Sequence, residues 1–418
     1  MKRLLRQTVR SGAMRMLLVR EWLEAGATFN PVSSKLRKDP YTVYRRLREK
    51  DPVHRSRLFD GWVLSKHAHV DAVLRDQHQF ANDVRNASDS VTDQSQDEVH
   101  SMLYLDQPDH TRLRSLVSQA FTRGAIQVIK PRIEEIVDEL LDQVDGDQSF
   151  DAIQTLADPL PVIVISELLG VPPEDRDRFK AWSTDVASVL EPRETRQDWK
   201  RIDQAREALM AYFDPIIEAR YEEPRDDLIS ALAMAEEDGE KLTHREVLVT
   251  LLLLLVAGNE TTTNLIGNGL LALLQHPDQL DRLRQDPSLI DSAIEEMLRF
   301  DSPVQIDSRT ALVDQEIGGK QIRRGQQVLL LIGAANRDPE AFPDPDVLDL
   351  TRTARSHMSF GRGIHHCLGA PLARMEGQIA FGKLLERFPH MRLAGNPRFR
   401  DRVVLRGLRS LPIKVGGG

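Results

Sequence analysis

The chain has 418 residues, 41% hydrophobic and 29% charged, a globular balance that excludes wholesale disorder. Its formal net charge of −8 argues against a dedicated nucleic-acid binder. The single cysteine, Cys367, excludes an intramolecular disulfide framework and a cysteine-rich zinc module.

Residues 1–26 interleave Lys2, Arg3, Arg6, Arg10, Arg15 and Arg20 with apolar side chains, a pattern that is not a signal peptide. They read as a basic extension or an extra helix packed on the body, with weak contact to an anionic membrane surface as the alternative. Residues 27–418 read as a single domain, with no linker or fixed-period repeat to divide them. Gly61 to Ser65 predicts a strand. From about 108 to 300 the pattern is helical: Ile133, Ile136, Val137, Leu140, Leu141 and Val144 share a face behind Pro131, with Gly146 as the stop. The longest apolar run, 247–257, is about half of what spans a bilayer, so no transmembrane anchor is expected. Val304 to Ile322 and Val328 to Ile332 predict short strands, and a helix resumes after Cys367 with Leu372, Met375 and Ile379 on one face. The sum is a mainly α protein with a small β component, expected in a reducing, cytoplasmic compartment.

The stretch Phe360-Gly361-Arg362-Gly363-Ile364-His365-His366-Cys367-Leu368-Gly369 carries the chemistry. Its glycines allow tight turns and close approach of backbone to a flat ligand. Cys367 precedes a helix whose N-terminal amides favour a thiolate. An inert buried cysteine, a nucleophile with His365 or His366 as base, and a thiolate ligand to heme iron all remain open at this point.

The pattern Phe-Gly-x-Gly-x-His-x-Cys-x-Gly resembles the heme-binding signature of the cytochrome P-450 family at every fixed position. The resemblance implies heme b (iron protoporphyrin IX) with Cys367 as iron ligand, and Phe360, His365 and Gly369 around it. A second segment, Ala257-Gly258-Asn259-Glu260-Thr261, interrupts a helix in which nine of residues 247–257 are Leu or Val. Glycine and threonines disfavour a helix interior, so a kink or helix end is one expectation. The segment also resembles the family's central-helix motif, which implies oxygen binding at Ala257 and Gly258 and proton delivery through Glu260 and Thr261. Glu296 and Arg299, at i and i+3, would alone be a surface pair. By resemblance they form the family's structural network, with Arg352 as third member. His110 and Arg114, one helical turn apart, and Arg309 resemble the family's propionate-binding residues, with Tyr104 as an extra contact.

The implied fold is a triangular helical prism with heme between the central helix and the cysteine-loop helix. The implied activity is monooxygenation of an apolar small molecule with O2. Electrons are expected from a separate ferredoxin and its reductase, because only about 50 residues follow Cys367. Arg112 and Arg362 are candidates for a basic docking face. A peroxide-driven peroxygenase and a non-catalytic heme sensor are the alternatives, both disfavoured by Glu260 and Thr261. By position in the family the loop 80–103, the helices around Trp182 to Leu190, Asn259, Val304, Ile306, Val404 and Leu405 would line the substrate pocket. The identity of the substrate is not legible.

Overall fold

The computed structural model describes residues 11–87, 101–144, 149–192, 195–353 and 356–416. Helix α1 (Ser11–Ala25) ends at Gly26, whose φ of 66° and N–H to Trp22 O close the last turn. The helix packs on the body through one buried side chain. Glu21 accepts from the amides of Arg57 (2.6 Å) and Phe29 (3.3 Å) and contacts His54. Met16, Val19, Trp22 and Leu23 remain exposed on its outer face. Asp39 caps α2 (Pro40–Lys50), with Pro40 in the first turn, and Tyr44 and Leu47 face inward.

The chain then builds half of a sheet from β1 (Val53–Ser56), β2 (Gly61–Leu64) and, beyond α3 (His67–Arg75), β3 (Phe80–Ala81). The remaining strands, β4 (Ile306–Ala311) and β5 (Gln327–Leu331), arrive more than 200 residues later. The order is β1-β2-β5-β4-β3. β2 and β5 are parallel, with Val328 opposite Trp62, and the other pairs are antiparallel. The sheet buries Trp62, Leu64, Val328 and Leu330 against Val70 and Val73 of α3.

The helical part comprises α4 (Asp109–Ala120), α5 (Lys130–Leu141), α6 (Pro159–Leu168), α7 (Arg176–Ala187), α8 (Arg196–Glu222), α9 (His244–Gln275), α10 (Ile290–Phe300) and α11 (Ala370–Arg387). Helix α5 stops at Leu141, and the expected stop Gly146 lies outside the described residues.

Helix α9 is the axis, starting at a full capping box between Thr243 and Glu246. Among the described residues it alone is long and apolar enough to cross a membrane, yet it is largely buried in the core. The neighbours α6, α7, α8, α10 and α11 surround it. Two glycines of the helix meet close neighbours: a Cβ on Gly267 would lie 2.7 Å from Ile153, ahead of α6, and one on Gly269 2.5 Å from Met297 of α10. The helix end expected at Gly258 does not occur, since helical structure runs unbroken from His244 to Gln275. Packing of the rest of the helix outweighs the roughly 1 kcal/mol that a glycine costs. The Thr261 hydroxyl donates to Ala257 O at 2.6 Å, an i−4 bond the unbroken helix accommodates.

Candidate active site

The cysteine loop is shaped by glycines that the backbone requires. Gly361 and Gly363 have φ of 68° and 66°. A Cβ on Gly363 would also sit 2.6 Å from Leu74 O at the end of α3. The loop closes when Cys367 N donates to Phe360 O at 2.8 Å, and α11 starts three residues later. The Cys367 side chain is exposed. Neighbouring groups still crowd the sulfur, and desolvation pushes the thiol pKa up, while the Gly369 and Ala370 amides and Arg114 pull it down. Those donors would serve equally to hold a sulfur that has exchanged its proton for a metal. Phe360 lies in the loop with the Arg374 guanidinium 4.4 Å over its ring.

Basic groups converge beside the sulfur. The His110 and His365 rings are 4.1 Å apart, and Arg114 donates to His366 O at 2.7 Å. His110 Nδ1 and His365 Nε2 are buried without hydrogen-bond partners. Burial, His110, Arg309 and Arg114 push the His365 pKa down to about 3, and burial and Arg114 lower that of His110. Arg309 pairs with Asp307 at 2.9 Å, and Tyr104 feels the charge of the same carboxylate. Such a concentration of positive potential with orphaned ring nitrogens is the environment that carboxylates of a ligand would satisfy.

On α9, Leu253, Val256, Gly258 and Thr261 are partly open and Ala257 is exposed, in an otherwise buried segment. Leu253 and Leu368, next to Cys367, pack against one hydrophobic cluster. A Cβ on Gly258 would meet Ile165 at 3.8 Å, an ordinary contact, so packing within the protein does not demand glycine there. Thiol, cationic cluster and apolar strip together fit a flat, dianionic, iron-bearing ring.

The next two residues turn away from the strip. Asn259 is buried and donates to Ser183 of α7 at 2.9 Å. Glu260, 3% exposed, pairs with Arg402 at 2.7 Å, with Arg400 3.9 Å from its other oxygen. Arg400 in turn pairs with Asp158. Neither arginine was picked out by sequence, because nothing local marks a C-terminal residue as the partner of an acid 142 positions earlier.

Behind the cysteine loop the expected network is present. Arg299, 1% exposed, forks onto both oxygens of Glu296 at 2.7 Å. It also donates to the carbonyls of Asn336, Pro345 and Val347. Arg352 reaches Glu296 at 3.2 Å, and the Asp349 amide donates to it at 3.0 Å.

Of the expected pocket residues, Val304 and Val404 are partly open, whereas Ile306 and Leu405 are buried and Asn259 is held by Ser183. Trp182 packs in α7 beside Phe179, and residues 88–100 of the expected loop lie outside the described residues. Arg112 and Arg362 are not free cations: Arg112 is paired with Glu246 and Glu240, and Arg362 lies 3.5 Å from Asp71. Sequence reading also passed over Glu376 of α11, fully buried, with one carboxyl oxygen unpaired and its pKa pushed up to about 8 by desolvation. It falls on the stripe of Leu372, Met375 and Ile379, where its periodicity could have revealed it.

A family model described as Cytochrome P450 matches residues 34–402. The chain is 41% identical over 404 residues to the polyketide biosynthesis cytochrome P450 PksS of Bacillus subtilis, covering 93% of this chain and 98% of that one. The solved structure of PksS superposes with a TM-score of 0.87 over 93% of this chain and all of the other, at 42% identity. Vitamin D(3) 25-hydroxylase of Pseudonocardia autotrophica is 43% identical over 388 residues, 91% of this chain and 94% of that protein. The structure of P450BioI in complex with an acyl carrier protein ligated to hexadec-9Z-enoic acid gives a TM-score of 0.85 at 41% identity, covering 92% and 99%. The chain belongs to the cytochrome P450 family. It has the P450 fold, and the family to which it belongs binds heme b and incorporates oxygen from O2.

Proposed function

We propose that the chain is a cytoplasmic monooxygenase that inserts one atom of O2 into an apolar small organic molecule, taking electrons from a separate ferredoxin-type partner. The observation that carries the site assignment is the junction of an open cysteine with the orphaned ring nitrogens of His110 and His365. Cys367 is the metal ligand, and His110, Arg114, Arg309 and His365 hold the propionates. The relatives named above support an apolar substrate of polyketide, fatty acyl or terpenoid type. The N-terminal helix is read as part of the body.

Bound heme supplies the activation of dioxygen. The chain supplies the surroundings. Gly369 and Ala370 amides stabilise negative charge on the sulfur. Ala257 and Gly258, with the smallest side chains of this turn, would leave space for a small ligand of a bound heme. Glu260, buried and held by Arg402, keeps a carboxylate one residue from Thr261 and away from bulk water. Thr261 presents a hydroxyl one residue on, already donating to Ala257 O and so able to accept a further proton donor. This acid–alcohol pair favours oxygenase over peroxygenase or sensor function, since neither alternative requires timed proton supply.

The test is the absorption spectrum of the dithionite-reduced protein under carbon monoxide. A strongly red-shifted Soret band lost in Cys367→Ala supports the assignment. A globin-like band in the unsubstituted protein, or no bound heme, overturns it.

A further inference from the structure

Glu191 follows the short turn 188–190 that prolongs α7, and it is 6% exposed. Its carboxylate accepts from three consecutive amides, Val403 at 2.8 Å, Val404 at 3.1 Å and Leu405 at 2.8 Å. Among the described residues no ion pair involves Glu191, and the neighbouring Arg402 is taken by Glu260. A buried carboxylate compensated by backbone alone is unusual, since burying an unpaired charge costs several kcal/mol. Hydrogen bonds to a charged group contribute about 1.5–3 kcal/mol each, so three converging amides offset that cost.

In an extended strand successive N–H groups point to opposite sides. Three that converge on one acceptor require a compact turn, and the carboxylate fixes its shape. This turn carries other connections. Val404 O accepts from Gln305 N at 2.8 Å, and Leu405 pairs with Val304 in an isolated antiparallel bridge. Arg402, at its start, holds Glu260. One short segment thus joins the end of α7, the wall at 303–305 and the acid of α9.

We propose that Glu191 is a positioning residue for substrate selection: by seating the 403–405 turn against the end of α7, it sets the wall formed by Val304 and Val404. The proposal rests on the reading that these residues border the substrate cavity. Imidazole and the bulky azole clotrimazole both ligate heme iron through nitrogen, but only the second must fit between the walls. In the holoenzyme, Glu191→Ala and Glu191→Gln are expected to keep the carbon monoxide band and to bind imidazole within about twofold of the unsubstituted protein. Clotrimazole affinity is expected to change by about tenfold or more, because a glutamine keeps one acceptor oxygen but turns N–H groups toward the amides held by the other, and so seats the turn incompletely. A clotrimazole shift below about twofold in the glutamine variant, or one that runs parallel with imidazole, overturns the proposal. Failure of the unsubstituted protein to show either azole spectrum would instead overturn the heme-site reading itself, and is separately visible.

Discussion

Arg299 offers the sharpest test of the network behind the cysteine loop. Replacing it with alanine strips Glu296 of its fork while leaving that carboxylate 2% exposed. Removing one partner of a buried ion pair costs about 3–5 kcal/mol, because the other charge stays behind. The carbonyls of Asn336, Pro345 and Val347 lose a donor as well, at about 1 kcal/mol or more each. Arg352 remains near Glu296 but is itself drawn to Pro343 O and Asp344 O, so it compensates only part. A total of roughly 6 kcal/mol consumes much of the 5–15 kcal/mol by which a folded domain is stable. Arg299→Ala should therefore accumulate poorly and hold little heme. Arg299→Lys, which keeps the charge but lacks the planar fork, should lose about half as much. The assay is the carbon monoxide-binding fraction of total protein together with urea denaturation. Full heme loading in Arg299→Ala, with a loss of stability below about 2 kcal/mol, would refute the reasoning.

The remaining expectations concern proton-bearing groups. Glu376 stays protonated in the folded chain up to about pH 8, whereas the unfolded carboxyl ionises near 4.5, so the folded state holds more protons across that interval. Stability should fall as pH rises from 4.5 to 8, by up to about 1.4 kcal/mol per unit, and flatten above it. Denaturation midpoints of Glu376→Gln should lose that slope; an unchanged slope would show the titrating group lies elsewhere. Thr261→Ala should retain α9 and bind heme normally, since the hydroxyl's contact is an i−4 bond the helix does not need. With a surrogate ferredoxin and reductase it should release more peroxide per NADH consumed, and unchanged peroxide yield would remove Thr261 from proton delivery.

The parts of the site legible in the sequence are those whose causes are local. Gly361 and Gly363 announce tight turns and positive φ. Glu296 and Arg299 share a helix turn, so their pairing is visible before the fold is known. Arg112 shows the limit. It reads as a cation on a helix face, yet Glu246, in the first turn of α9, neutralises it. The expected break at Gly258 fails for a related reason, because local propensity is overruled by tertiary packing. Glu191 is illegible in a stronger sense: its partners are backbone amides, which every sequence possesses.

The unbroken helix also explains how one turn serves several purposes. Successive residues of an α-helix point about 100° apart. Gly258 faces Ile165 of α6, Asn259 reaches Ser183 of α7, Glu260 reaches Arg402, and Thr261 returns to the partly open strip. Had the helix ended at Gly258, as local propensity suggests, these directions would not be set by the surrounding helices. Continuity lets each neighbour define one direction independently: α7 fixes Asn259 and the C-terminal turn fixes Glu260. The hydroxyl of Thr261 is fixed by neither. It is held only by Ala257 O, within its own helix, and so is the member of the set most readily turned toward a bound ligand.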